Sequence, residues 1–283
     1  MRRRDLLAVA AGVATLAESQ SIPVVPRKGR IKQAAFVQNF GSEMPFEEMC
    51  SHAARLGMKG FDAAQTENWP TLRKYGLVPT LAYPHVTIPP YVDGIARSEH
   101  HDEMERLAHA EIDLCAARGC PTIPIASGQR HGMSYEEGAD NCVAFLSRVK
   151  AHAEDKGVNL CPENMNKYDR PDQFCDHLLW GFEVCKRVNS PRIKLLFDVY
   201  HAQIMDGDIC RHIRDNIQWI GHFHVAGIPG RHEPDDGQEL NYRFIAMTIA
   251  DLGFSGYVAH EWTPSAGRDP IQSLTHAIEL MDA

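Results

Sequence analysis

Eight short apolar runs punctuate the chain after residue 30, at 33–38, 60–64, 78–82, 122–126, 158–162, 194–198, 219–225 and 256–261. They read as strands covered on both faces, being nearly continuous in apolar residues rather than strictly alternating. Between them lie longer stretches whose apolar positions recur every three or four residues, as on one face of a helix. Residues 46–56 bring Met49, Ala53 and Leu56 to one face, and residues 101–117 do the same with Met104, Leu107, Ala108, Ile112 and Cys115. Residues 135–154 and 172–188 follow the same rule. Gly57, Gly119 and Gly253 stand just ahead of the next run, where a left-handed helix C-cap is expected.

Strands that alternate with helices pair in parallel, and about eight such units close into a single (β/α)8 TIM barrel of the α/β class. That fold is the expectation for residues 31–283. An open doubly wound sheet is the alternative, and the absence of Gly-x-Gly-x-x-Gly after the first run counts against its dinucleotide-binding form. With 283 residues, 44% hydrophobic and 23% charged, the chain can bury a full barrel core.

Residues 1–30 break the pattern. Arg2, Arg3 and Arg4 precede Leu6, Leu7 and an alanine-rich apolar run that ends in small residues near 17–19, as in an export signal. The Arg3-Arg4-x-Leu6-Leu7 order has the twin-arginine form, so a periplasmic location is the expectation. A frayed amphipathic helix and a cytoplasmic protein are the alternative. Residues 21–30, with two prolines and a basic cluster, read as a linker to the barrel. No later run is long and apolar enough to span a bilayer. The eight cysteines form no C-x-x-C pair and read as small buried hydrophobes rather than zinc ligands. A net charge of −8 with no basic stripe argues against a nucleic-acid partner and leaves a small molecule as the expected one.

Four of the later runs deliver groups able to bind a metal: Glu163, Asp198, His224 and Glu261. In a barrel the C-terminal strand ends meet at one mouth, so these four converge. Carboxylates with one imidazole suit a single divalent ion, Mg²⁺ or Mn²⁺ first and Co²⁺ or Zn²⁺ after them. Each residue alone also has a structural explanation: Glu163 as a turn cap, Asp198 as a helix N-cap, His224 as a core histidine. His222 shares a strand face with His224 and competes for its role. His201 and Gln203 follow Asp198 in an expected loop. Arg231, in the 227–233 loop, is the natural clamp for a carboxylate, unless it is a surface residue paired with Glu233 or Asp235. Specificity falls to the early loops 40–45, 65–69, 83–90 and 129–133, where Trp69, His85 and His131 stand.

Glu163-Asn164-Met165-Asn166, Phe197-Asp198-Val199-Tyr200-His201-x-Gln203 and Gly221-His222-Phe223-His224-Val225-Ala226-x-x-Pro229-Gly230-Arg231-x-Glu233-Pro234 together resemble the hydroxypyruvate isomerase family of the xylose-isomerase-like TIM barrels. The resemblance implies one divalent metal held by Glu163, Asp198, His224 and Glu261, with Glu163 and Glu261 doubling as acid/base groups. It implies substrate contacts from His201, Arg231 and Glu233. The expected reaction is interconversion of an aldehyde/ketone pair of a small hydroxy-carbonyl substrate through an enediolate. Related ketose 3-epimerases carry His at the position of His224 where better-known hydroxypyruvate isomerases carry Gln. A 3-epimerase, or a keto-sugar or inosose lyase-dehydratase, therefore stays open as the alternative. A homo-oligomer is compatible with all of these.

Overall fold

A computed structural model of the chain describes residues 24–83 and 93–283. The expected export-type leader and most of the 83–90 loop, with His85, lie outside the described residues.

Eight strands occupy the expected runs: β1 Lys32–Ala35, β2 Gly60–Asp62, β3 Val78–Leu81, β4 Thr122–Ile125, β5 Asn159–Pro162, β6 Leu195–Asp198, β7 Ile220–Val225 and β8 Tyr257–His260. Six pair in the order β3-β2-β1-β8-β7-β6, and β4 pairs with β5, all in parallel. Two joints close the ring. Between β3 and β4, Ala82 N–H donates to the Thr122 carbonyl at 2.9 Å; between β5 and β6, Leu160 N–H donates to the Arg192 carbonyl at 2.8 Å. The result is the TIM barrel.

The helices wrap it outside: α1 Phe46–Arg55, α2 Trp69–Lys74, α3 His101–Arg118, α4 Tyr135–Lys156, α5 Leu178–Val188, α6 Val199–Met205, α7 Ile209–Asn216, α8 Tyr242–Asp251 and α9 Pro270–Leu280. Gly57, Gly119 and Gly253 take φ of 81°, 71° and 70°, the left-handed turns expected of them. Helix α5 starts later than the periodicity indicates. The preceding backbone is committed to the loop after β4: Arg130 N–H donates to the Asp172 carbonyl at 2.7 Å and Phe174 N–H to the Gly128 carbonyl at 3.1 Å.

The expected linker is not free where it is described. Val25 N–H donates to the Arg55 carbonyl at 2.8 Å, Arg27 Nε to the Leu56 carbonyl at 3.0 Å, and Lys28 N–H to Asp282 Oδ1 at 3.0 Å. These contacts lash residues 25–28 to the end of the barrel where the strands begin.

Strand alternation sorts the core into two layers. Phe197 and Phe223 face the helices, while Leu81, Cys161 and Leu196 fill the barrel interior. Seven cysteines are buried, Cys210 is half-buried, and all eight are free. Burial pushes the Cys185 thiol up to about 12, the behaviour of an inert packing residue. Among the described residues no helix is long and apolar enough to cross a membrane.

Candidate metal centre and active site

The interior layer sets the site. Glu163, Asp198, His224 and Glu261 each stand two residues beyond an inward-facing residue: Cys161, Leu196, His222 and Ala259. With a period of two, all four side chains enter the barrel at its C-terminal mouth. One ligand atom from each lies within 4.8 Å of the others. His224 Nδ1 is 2.7 Å from Glu261 Oε2 and 3.2 Å from Glu163 Oε1.

Asp198 caps a helix and faces the cluster at once. Its Oδ1 accepts Tyr200 N–H at 2.8 Å and His201 N–H at 3.4 Å, capping α6. Its Oδ2 faces the cluster and accepts Arg231 Nη2 at 2.8 Å. Asn164 fixes the strand ends that carry the pair: Asp198 N–H donates to Asn164 Oδ1 at 2.9 Å, and Asn164 Nδ2 donates to the Asp198 carbonyl at 3.1 Å.

Arg231 reaches the mouth from the loop after β7. Its Nη2 also donates to Glu261 Oε2 at 2.7 Å, and its guanidinium lies 4.9 Å from the Tyr200 ring centroid. It adopts φ 56°, and its buried Nε has no partner among the described residues. The surface pairing weighed for it belongs instead to Arg268, 3.0 Å from Glu233 and 2.6 Å from Asp235.

Glu233 is not brought to the mouth. It is buried beneath the 264–273 segment, accepting Ser265 N–H at 2.8 Å and the Ser273 hydroxyl at 3.3 Å. His201 lies on α6 rather than in a loop, because the Asp198 cap starts the helix at once. Its Nδ1 accepts Asn166 Nδ2 at 2.7 Å, which leaves Nε2 carrying the proton, 3.5 Å from Asp198 Oδ2. Gln203 shares that helix. Trp69 is core, its Nε1 donating to the Ala64 carbonyl at 2.9 Å. His131 is exposed on the 129–133 loop.

The charges explain one another. Burial would raise the Glu261 carboxyl, but His224 and Arg231 outweigh it and hold it down at about 2. Burial would lower the His224 imidazole, and Glu261, Asp62 and Glu163 lift it well above its ordinary value instead. Burial likewise opposes the charge on Arg231, and Asp198, Glu261 and Glu163 more than restore it. Three carboxylates crowd this mouth, with Arg231 and His224 as their balancing charges. The donor set, oxygen-rich with one imidazole nitrogen pointing inward, fits a divalent ion.

One partner of this cluster is absent from the sequence reading. Asp62, closing β2, is fully buried; its Oδ2 lies 2.6 Å from His222 Nε2 and 3.1 Å from His224 Nε2, and its Oδ1 accepts the Thr80 hydroxyl. Burial would raise this carboxyl, and the two imidazoles hold it well below the usual range. A carboxylate ending an otherwise apolar interior strand is the signal that marks it. His222 sits one layer deeper than His224 and turns to Asp62, so it does not join the group of four.

Fold and mouth together define a xylose isomerase-like TIM barrel; the model of that family matches residues 44–283, and the chain belongs to it. Over 125 residues it is 39% identical to a 2-oxo-tetronate isomerase of Cupriavidus necator, covering 44% of this chain and 46% of that protein. A Homo sapiens protein provisionally named a hydroxypyruvate isomerase is 29% identical over 175 residues, 58% of this chain and 61% of that one. The chain thus spans about half to three fifths of the length of these relatives. A solved structure described as AP endonuclease, family 2, from Brucella melitensis is 26% identical with a TM-score of 0.77, covering 86% of this chain and 96% of that one.

Proposed function

We propose that the chain is an isomerase that moves a proton between adjacent carbons of a small hydroxy-carbonyl acid of the hydroxypyruvate or 2-oxo-tetronate type. The observation that carries this reading is the convergence of Glu163 and Glu261 on one point, His224 Nδ1, beside the guanidinium of Arg231. The names of the two relatives supply the substrate class. A net charge of −8 is the wrong sign for a phosphodiester backbone, so the endonuclease name of the Brucella protein is not carried over.

Glu163, Asp198, His224 and Glu261 would hold one divalent ion, Mg²⁺ or Mn²⁺ by the hardness of the oxygen donors. Such an ion supplies Lewis acidity toward a carbonyl oxygen and the hydroxyl beside it. Arg231 clamps the substrate carboxylate with its planar fork. His201, oriented by Asn166, offers its Nε2–H to a substrate oxygen. One glutamate takes the proton from the hydroxyl-bearing carbon, the hydroxyl proton passes to the former carbonyl oxygen, and the resulting enediolate receives a proton at the neighbouring carbon. Return of the proton to the same carbon from the other face would epimerise instead.

The test is incubation of the full chain with Mn²⁺ in D₂O, using hydroxypyruvate, 2-oxo-tetronate and D-fructose in parallel. The acids should take up deuterium beside the carbonyl and give the rearranged isomer. Glu163→Gln or Glu261→Gln should lower turnover roughly a hundred- to ten-thousandfold. Deuterium in an inverted but unrearranged ketose would make the chain an epimerase, and no exchange in any substrate would remove the isomerase reading.

A further inference from the structure

We infer that Asp62 is the positioning residue of the metal centre: it fixes the tautomer of His224 so that Nδ1 presents its lone pair to the ion. The inference rests on the metal-centred reading of the mouth given above.

The two ring nitrogens of His224 face opposite ways. Nδ1 points to Glu163 and Glu261, and Nε2 lies 3.1 Å from Asp62 Oδ2. A neutral imidazole carries one proton, and whichever nitrogen holds it cannot ligate. With an ion in place of the proton that Nδ1 would otherwise share with Glu163 and Glu261, the ring keeps one proton; Asp62, which only accepts, holds that proton on Nε2 and leaves Nδ1 free to coordinate. The Phe36 ring, edge-on to the imidazole with centroids 5.2 Å apart, holds the plane in that orientation.

Asp62 is itself built for this task. It is fully buried on β2, two strands round the sheet from β8, and three donors engage it. The Thr80 hydroxyl donates to Oδ1, and His222 and His224 share Oδ2. His222 spends its Nε2 on Asp62 while its buried Nδ1 has no partner among the described residues.

Asp62, His222 and His224 also lie close enough to ligate an ion by themselves. The positioning role and a second-ion role make different predictions, and one set of measurements separates them. Mn²⁺ titrated into the full chain should bind at about one ion per chain. Asp62→Asn should weaken that binding roughly 10–100-fold, the usual effect of losing an outer-shell carboxylate on a ligating histidine. Thr80→Val should weaken it less, and Thr80→Ser should restore it. ¹⁵N spectra of the Zn²⁺-loaded protein should show the His224 proton on Nε2 in the parent and a mixed or reversed tautomer in Asp62→Asn, with circular dichroism of the two unchanged. Two ions per chain with one lost in Asp62→Asn would make Asp62 a ligand and overturn the inference. So would Asp62→Asn binding Mn²⁺ within about threefold of the parent, or a parent that binds no ion. One ion held as described, without proton exchange in any substrate, would instead sink the isomerase reading and leave Asp62 in its role.

Discussion

Arg231 holds a left-handed backbone conformation, φ 56°, that costs a residue with a side chain about 1–3 kcal/mol. The compensation is its position: one Nη2 joins Asp198 to Glu261, and the Tyr200 ring lies against the guanidinium. Lysine would keep the charge and lose the fork. Arg231→Lys should raise KM for a carboxylate-bearing substrate roughly 10–100-fold, about 1.4–2.7 kcal/mol, and leave KM for an uncharged ketose nearly unchanged. Steady-state kinetics on the two substrates decide this. Equal losses on both would mean that the guanidinium serves the site's own carboxylates rather than the substrate's.

At the scale of elements, the junction of β6 and α6 is where stability and chemistry share one side chain. Asp198 caps the helix with one oxygen and faces the mouth with the other. Asparagine caps helices as well as aspartate does, whereas alanine does not. By the cap alone, urea unfolding should give Asp198→Asn an unfolding free energy near the parent's and Asp198→Ala one about 1 kcal/mol lower. Both should lose Mn²⁺ affinity by more than the roughly 10–100-fold expected of an outer-shell change. The strands were legible in the sequence because a barrel buries each on both faces and leaves few polar interruptions. The convergence of Glu163, Asp198, His224 and Glu261 was legible because they end consecutive strands. Glu233 looked equally available, but its partners Ser265 and Ser273 come from a loop and a helix that no local pattern links to it. Asp62 escaped because its partners stand some 160 positions away, on β7. Helix α5 starts later than its periodicity indicates because tertiary bonds from the β4 loop claim residues that helical periodicity alone would include.

For the molecule as a whole, the buried His260 on β8 ties stability to pH. Its Nε2 donates to Gln33 Oε1 at 2.8 Å, and its Nδ1 accepts Trp262 Nε1 at 3.2 Å, so only the neutral ring fits. Burial holds its pKa down at about 3. Between the unfolded value near 6.5 and that figure, the unfolded chain binds a proton that the folded chain refuses. Unfolding free energy should therefore fall as pH drops through this window, by up to about 1.4 kcal/mol per unit. Urea midpoints at pH 7, 5.5 and 4.5 measure the slope, and His260→Gln should flatten it. An unchanged slope in that variant would place the acid sensitivity elsewhere.

Residues 25–28 are lashed to the ends of α1 and α9 on the side of the barrel where the strands begin, and Lys28 touches Asp282. The mouth with its carboxylates opens on the opposite side. The two ends of the described chain are thus neighbours, about one barrel height from the chemistry. A circular permutant that joins them through a short peptide and opens the chain at the exposed turn between α2 and β3 should fold and keep the ion-binding group. A protein tethered to a surface through its C-terminus should present its mouth to the bulk solvent.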